Sequence, residues 1–248
     1  MASINKRYLI LGLVLLIIVV VIVAGIGLLM YAGLPLKNGA QLADGKVSIV
    51  VTRWGPVAIG AYLFKLEEGG FGLIDAGIDP KATAIRTALT RLGGTERDVR
   101  VILLTHGHDD HTAGAHSFPK ADVYVLEPDA NRVNAQWIRV TRGLKDGERL
   151  TLFGTPVDVF TLPGHTSGSA AYLVHGVLFL GDSTSSINDG KGSLYPNTLL
   201  CEDKEQNKRA LQDLAKRLRT RRNEIRHIAF GHQGPVDGLD ALLNWALN

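Results

Sequence analysis

Hydrophobic positions along the chain form one long block followed by many short ones. No Asp, Glu, Lys, Arg or His occurs from position 8 to 36, and positions 11–23 are apolar on every face of a helix. A helix over 9–32 would reach about 36 Å, enough for a hydrocarbon core of about 30 Å. It is longer than the apolar run of about 7–15 residues in a secretory signal. The pattern predicts a short cytoplasmic amino terminus over 1–7, a transmembrane helix over 8–33 and a tether over 34–46. Lys6 and Arg7 precede the span, and the positive-inside rule then turns the amino terminus to the cytoplasm. The expectation is a single-pass membrane protein with the lipid bilayer as a partner and a catalytic domain over 47–248 on the extracytoplasmic side.

After the block, the short apolar runs alternate with turn residues. Runs 47–52 and 58–66 read as paired strands broken by Trp54, Gly55 and Pro56, and 71–74 reads as a third. Asp75, Gly77, Asp79 and Pro80 lead into a helix in which Ala84, Ile85, Ala88, Leu89 and Leu92 recur at helical spacing, stopped by Gly93 and Gly94. Further strands are expected at 99–104, 123–126, 157–162 and 225–230, a hairpin at 170–174 and 177–180, and helices at 203–219 and 239–246. Each long apolar strand after residue 95 ends in a polar loop with His or Asp, the usual place for a site in a layered protein of strands and helices.

Composition narrows the classes. With 248 residues, 46% hydrophobic and 21% charged, the chain is neither disordered nor low-complexity, and no second large domain is expected beside 47–248. Lys6 and Arg7 supply two of the net charges of +3, so nothing calls for a nucleic-acid partner. The single cysteine, Cys201, excludes an intramolecular disulfide and a cysteine-built zinc site. Lys216, Arg217, Arg219, Arg221, Arg222 and Arg226 form a basic cluster that reads as the solvated end of a helix, with anionic headgroups as a secondary reading.

The chemistry concentrates in Thr105-His106-Gly107-His108-Asp109-Asp110-His111, which follows a buried strand. In an extended stretch His106 and His108 share a side, and after the chain turns Asp110 and His111 project toward a neighbouring point. Imidazole and carboxylate suit zinc and related divalent ions. Four such residues cannot complete two sites, and three later strand ends each offer one more ligand from a glycine-flanked loop. These are His165 in 163–168, Asp182 in 181–183 and His232 in 231–235. His116, His175 and His227 read as structural or solvent-facing, Asp75 as a hydrogen-bonding support of the metal loop, and Cys201 matches no ligand motif.

These motifs resemble those of the metallo-β-lactamase superfamily. Residues 105–111 match its His-x-His-x-Asp-His motif, His165, Asp182 and His232 fall on the later ligand motifs in order, and 73–77 resembles the strand and turn before the metal loop. The resemblance implies an α/β fold, a four-layer αβ/βα sandwich with metals at one edge between two sheets. It implies His106, His108 and His165 on one divalent ion, Asp110, His111 and His232 on a second, and Asp182 bridging them. Zinc is the foremost metal, with iron or manganese as alternatives. Two such ions can share a hydroxide formed near neutral pH, and Asp110 is implied to steer it and pass a proton to the leaving group.

Within the superfamily, His108 stands where diiron flavoproteins carry glutamate, and Asp182 stands where the most distinct class of true β-lactamases has cysteine or serine. The first disfavours an oxygen-reducing role, and the second points toward the glyoxalase II and lactonase side. Only 16 residues follow His232, so the helical carboxy-terminal domain of glyoxalase II is expected to be absent. The resulting expectation is a hydrolase of an ester, thioester, lactone or lactam of a small molecule, with Trp54 as an apolar flap and Tyr195, in the 185–201 segment, as substrate contacts. The competing readings are a mononuclear iron enzyme of the persulfide dioxygenase type and a non-catalytic tethered binding module.

Overall fold

The computed structural model describes residues 6–189, 193–196 and 200–247, with the side chains of 6, 9, 22–24 and 26–32 left aside. Two sheets carry the fold. The first has seven strands in sequence order: β1 (Gln41–Leu42), β2 (Val47–Trp54), β3 (Val57–Lys65), β4 (Phe71–Ile74), β5 (Val99–Leu103), β6 (Asp122–Leu126) and β7 (Arg142–Leu144). It is antiparallel as far as β4 and parallel from β4 to β7. The second has the order β15-β14-β11-β10-β9-β8. These strands are β8 (Arg149–Leu152), β9 (Thr155–Thr161), β10 (Ala170–Val174), β11 (Val177–Phe179), β14 (His227–Ala229) and β15 (Val236–Asp237). A small hairpin, β12 (Thr184–Ser186) with β13 (Leu194–Pro196), stands apart.

Strand periodicity explains the layers. Along β3, Tyr62 and Phe64 face the second sheet, whereas Ala61 and Leu63 face the helices outside the first, and every one is buried. Along β10, Tyr172 and Val174 join the inter-sheet core, while Ala171 and Leu173 point the other way. Helices α2 (Thr83–Arg91) and α4 (Glu127–Ala135) cover the first sheet through Ile85, Leu89 and Val133. Helices α5 (Lys204–Leu218) and α6 (Asp240–Leu247) cover the second through Leu211, Leu214, Leu218 and Leu242. The α5 residues recur at helical spacing on one stripe, and Asp203 caps its start by accepting the Gln206 amide at 2.8 Å. The result is the expected layering of helix, sheet, sheet and helix.

The two sheets are tied at the end where β5 and β14 finish. Tyr172 donates its hydroxyl to the Leu104 carbonyl at 2.8 Å, and Tyr62 donates its own to the Phe230 carbonyl. The next residues are bonded through the backbone, Ala170 N–H to Thr105 and Gly60 N–H to Gly231, each at 2.7 Å.

Several expectations change. The membrane anchor over 8–33 is not supported, because among the described residues no helix is long and apolar enough to cross a membrane. Helix α1 runs through Lys6–Ala32. The single-pass placement, the extracytoplasmic side and the bilayer partner drawn from that span are withdrawn with it. Residues 1–5 of the short amino-terminal segment lie outside the described residues. The 34–46 segment carries β1 and buries Leu36 and Leu42 in the inter-sheet core. The basic cluster is a network of ion pairs: Arg217 with Asp146, Arg221 with Asp158 and Glu224, Arg222 with Asp240, Arg226 with Asp44, and Lys216 with Asp213.

Candidate metal centre

Strand β5 delivers the chain into the turn 104–108, buried as far as Gly107, and α3 (Asp109–Thr112) follows at once. The turn is held from β4. Asp75, buried and in the left-handed region at φ 54°, accepts the Thr105 amide at 2.7 Å and the Thr105 hydroxyl at 2.8 Å. Its Oδ2 also lies 2.8 Å from His111 Nδ1. The expectation that Asp75 supports the loop matches this placement. Since the Thr105 hydroxyl donates to Asp75, it accepts from His106 Nδ1 at 3.1 Å. His232 Nδ1 donates to the Ala58 carbonyl at 2.8 Å. In all three rings the outer hydrogen bond leaves Nε2 facing inward, the arrangement of metal-ligating histidines.

Two groups result, His106, His108 and His165 in one and Asp110, His111, Asp182 and His232 in the other. In the first, His108 Nδ1 lies 3.0 Å from His106 Nε2 and 3.1 Å from His165 Nε2. In the second, His232 Nε2 lies 3.0 Å from Asp182 Oδ2 and 3.4 Å from Asp110 Oδ2, and His111 Nε2 lies 3.3 Å from Asp182 Oδ1. Asp182 also reaches the first group, with Oδ2 at 3.7 Å from His165 Nε2. Donors on one tetrahedral ion at about 2.0–2.1 Å stand about 3.3 Å apart, so both groups fit a zinc-sized cation. His111 Nε2 and Asp182 Oδ1, both buried, face each other without a well-formed hydrogen bond, the signature of donors arranged for something else.

The backbone is cut to fit. A Cβ added at Gly231 would sit 1.9 Å from Asp182 Oδ1 and 2.7 Å from His111 Cε1. Only glycine lets the chain before His232 pass behind the second group.

Electrostatics divide the two groups. Burial, the largest effect, pushes His106 and His108 below the ordinary histidine range and brings His165 down to about 4. Burial pushes the same way on His232, but the Asp182 and Asp110 carboxylates outweigh it and raise that ring to about 10. His111 is likewise lifted well above its usual range by Asp182 and Asp75 against burial. For Asp110 and Asp182 burial favours the neutral acid, yet the adjacent histidines win and hold both carboxyls low.

All seven residues expected as ligands therefore meet at one edge between the sheets. The two residues expected to contact substrate are exposed. Trp54 is 70% exposed at the β2–β3 turn, one residue past Arg53, the register partner of the Ala58 that holds His232. Tyr195, 50% exposed, pairs with Ser185. Of its segment, 190–192 and 197–199 lie outside the described residues. His116 is exposed, His175 bonds the Lys65 carbonyl and His227 pairs with Asp237, all away from the centre.

Sequence reasoning missed the whole of α4 and, on it, the buried Asp129. The run 127–135 puts few apolar residues at helical spacing. The readable signal was a proline in the first turn beside Glu127 and Asp129, a common helix start.

Comparison with known proteins agrees with the geometry. A family model described as "Metallo-beta-lactamase superfamily" matches residues 54–232. The "Hydroxyacylglutathione hydrolase" of Aeromonas salmonicida (strain A449) is 37% identical over 115 residues, covering 44% of this chain and 42% of that protein. The chain thus spans less than half the length of the curated relatives it matches. Among solved structures, a metallo-β-lactamase from Pontibacter korlensis is 21% identical with a TM-score of 0.62, covering 82% of this chain and 95% of the other. A metallo-β-lactamase family protein from Thermus thermophilus is 22% identical with a TM-score of 0.60, covering 82% and 78%. At these identities the structures speak for the fold.

Proposed function

The chain belongs to the metallo-β-lactamase superfamily, and we propose that it is a metal-dependent hydrolase that cleaves an ester, thioester, lactone or lactam of a small molecule at a binuclear centre. The observation that carries this reading is the meeting of His106, His108 and His165 with Asp110, His111, Asp182 and His232 in two adjoining groups that share Asp182. The first group would hold one divalent cation and the second another, and Asp182 approaches both groups. Two such ions supply water that ionises near neutral pH and positive charge for the carbonyl oxygen of the substrate.

The residues around them do the rest. His106, His111 and His165 are fully buried and close the floor of the site to bulk water, whereas the Asp110 side chain is 30% exposed and reaches the open side. Asp110 stays ionised at neutral pH because His232 and His111 outweigh its burial. Its carboxylate would steer the hydroxide and pass a proton to the leaving group. Trp54, exposed at the β2–β3 turn, would supply an apolar contact for the substrate. The relatives named hydroxyacylglutathione hydrolase make a thioester the first substrate to try.

The test is to strip the purified chain with a chelator, add back zinc, manganese or iron, and assay thioesters, lactones, esters and lactams. Hydrolysis that vanishes on stripping and returns with about two metal equivalents per chain is the expected result. Hydrolysis indifferent to the chelator would overturn the reading, as would iron-dependent oxygen consumption without hydrolysis of any of these.

A further inference from the structure

We propose that Asp129 is the positioning residue of the three-histidine group: one buried carboxylate that sets the spacing between the loop of His106 and His108 and the loop of His165. The inference rests on the reading that those histidines hold a metal.

Asp129 is 0% exposed and touches none of the ligand rings through a hydrogen bond. Its Oδ2 accepts the Gly107 amide at 2.7 Å and the Thr166 hydroxyl at 2.8 Å, and its Oδ1 accepts the Gly168 amide at 3.0 Å. Gly107 lies between His106 and His108, and Thr166 and Gly168 follow His165. A single oxygen thus takes one donor from each of the two loops that furnish the group. An aspartate in the first turn of a helix often turns back to cap its own amides. Here the three donors all come from the metal loops. Asp129 keeps the favourable place at the positive end of α4 and spends its lone pairs elsewhere.

The surroundings are built for this contact. A Cβ at Gly168 would lie 2.5 Å from the Asp129 backbone nitrogen, so the His165 loop rests directly on the first turn of α4. At the far end of the same helix, Gln136 donates to the Gly107 carbonyl at 2.7 Å and accepts the Thr112 hydroxyl. Gly107 is thereby gripped at both its amide and its carbonyl by side chains of one element. Gln136 reaches only the first loop, whereas Asp129 reaches both. For the second group the comparable support is Asp75, bonded directly to His111; it reaches His106 only through the Thr105 hydroxyl and does not reach the His165 loop in any hydrogen bond among the described residues.

Asparagine at 129 keeps the shape but replaces one acceptor with a donor, which would then oppose an amide N–H of one loop. Asp129→Asn should therefore loosen the three-histidine group alone. The full chain is titrated with zinc against a chromophoric chelator in two backgrounds: His232→Ala, which leaves the three-histidine group intact, and His165→Ala, which leaves the other. In the first background Asp129→Asn should weaken zinc binding about 10- to 100-fold, the usual effect of losing an outer partner of a ligand. In the second it should stay within about twofold, as independent sites do. Thr166→Val should give a smaller loss at the three-histidine group, restored by Thr166→Ser, should Asp129→Asn fail to fold. Equal weakening in both backgrounds would mark a merely structural role and overturn the proposal, and so would no weakening in either. An unsubstituted chain that binds no zinc would overturn the metal reading as well. Normal binding by that chain, with Asp129→Asn and Thr166→Val unchanged, would overturn the role of Asp129 alone.

Discussion

Loading a metal-free preparation should release protons from one half of the centre and not from the other. In the three-histidine group burial holds His106 and His108 below the ordinary range and His165 at about 4, so near neutral pH these nitrogens are ready to bind. In the second group burial is outweighed by Asp182 and its neighbours, His232 stands at about 10 and His111 is well above its usual range. Each must give up a proton before its Nε2 can take a cation. From pH 7 to about 10 is about 3 pH units, and at about 1.4 kcal/mol each the His232 proton alone opposes binding by about 4 kcal/mol, on the order of a thousandfold. Raising the pH removes that opposition, so affinity at the second group climbs about tenfold per unit toward pH 10, while the first, whose rings stand below the ordinary histidine range, stays flat above neutral pH. Isothermal titration in buffers of different ionisation enthalpy counts the protons. The tighter equivalent should release close to none and the weaker close to two. Equal release by both equivalents, or release by the tighter alone, would refute the reasoning.

Gly231→Ala places a methyl 1.9 Å from Asp182 Oδ1 and should leave the chain folded with about one metal instead of two and hydrolysis down by at least about 100-fold, read by metal analysis and kcat. Trp54→Ala should raise KM with kcat little changed, and an unchanged KM for every substrate would remove Trp54 from the binding surface. The metal-free chain should lose stability as the pH rises from about 6.5 to about 10, because the raised His232 pKa stabilises the fold below the first value and no longer does so above the second; urea unfolding at both ends of that range checks the sign. Tyr62→Phe and Tyr172→Phe each strand a buried carbonyl and should cost about 1–3 kcal/mol in the same assay.

The layers were legible because strand runs such as 58–66 and 170–174 are apolar at both alternate positions, which only a strand covered on two faces requires. The ligands were legible for a different reason. Metal chemistry admits few side-chain types, and the ligands follow strands, most of them beside a glycine, as Gly231 is for His232. Helix α4 was not legible, since in Glu127–Ala135 only a few small or branched residues face the sheet and the polar residues carry the contacts. The edge strands β7 and β8, short and half-exposed, left too little pattern to read. The amino-terminal apolar block was read from hydropathy alone.

What the sequence could not convey is how the two halves of the chain reach one another. His106, His108, Asp110 and His111 leave the first sheet, whereas His165, Asp182 and His232 leave the second, so neither sheet owns a complete metal group. The inter-sheet core brings the sheets face to face but, being apolar, is indifferent to small slides. Direction comes from the two tyrosines. Tyr172 on the second sheet bonds Leu104, one residue before Thr105, and Tyr62 on the first bonds Phe230, one residue before Gly231. Each sheet thus fixes the point at which the other releases a ligand loop. Asp75 and Asp129 then work over shorter distances, within and between loops whose starting points are already set. Such bonds run through backbone carbonyls and amides, which any residue offers, and this is why they leave so faint a trace in the order of amino acids.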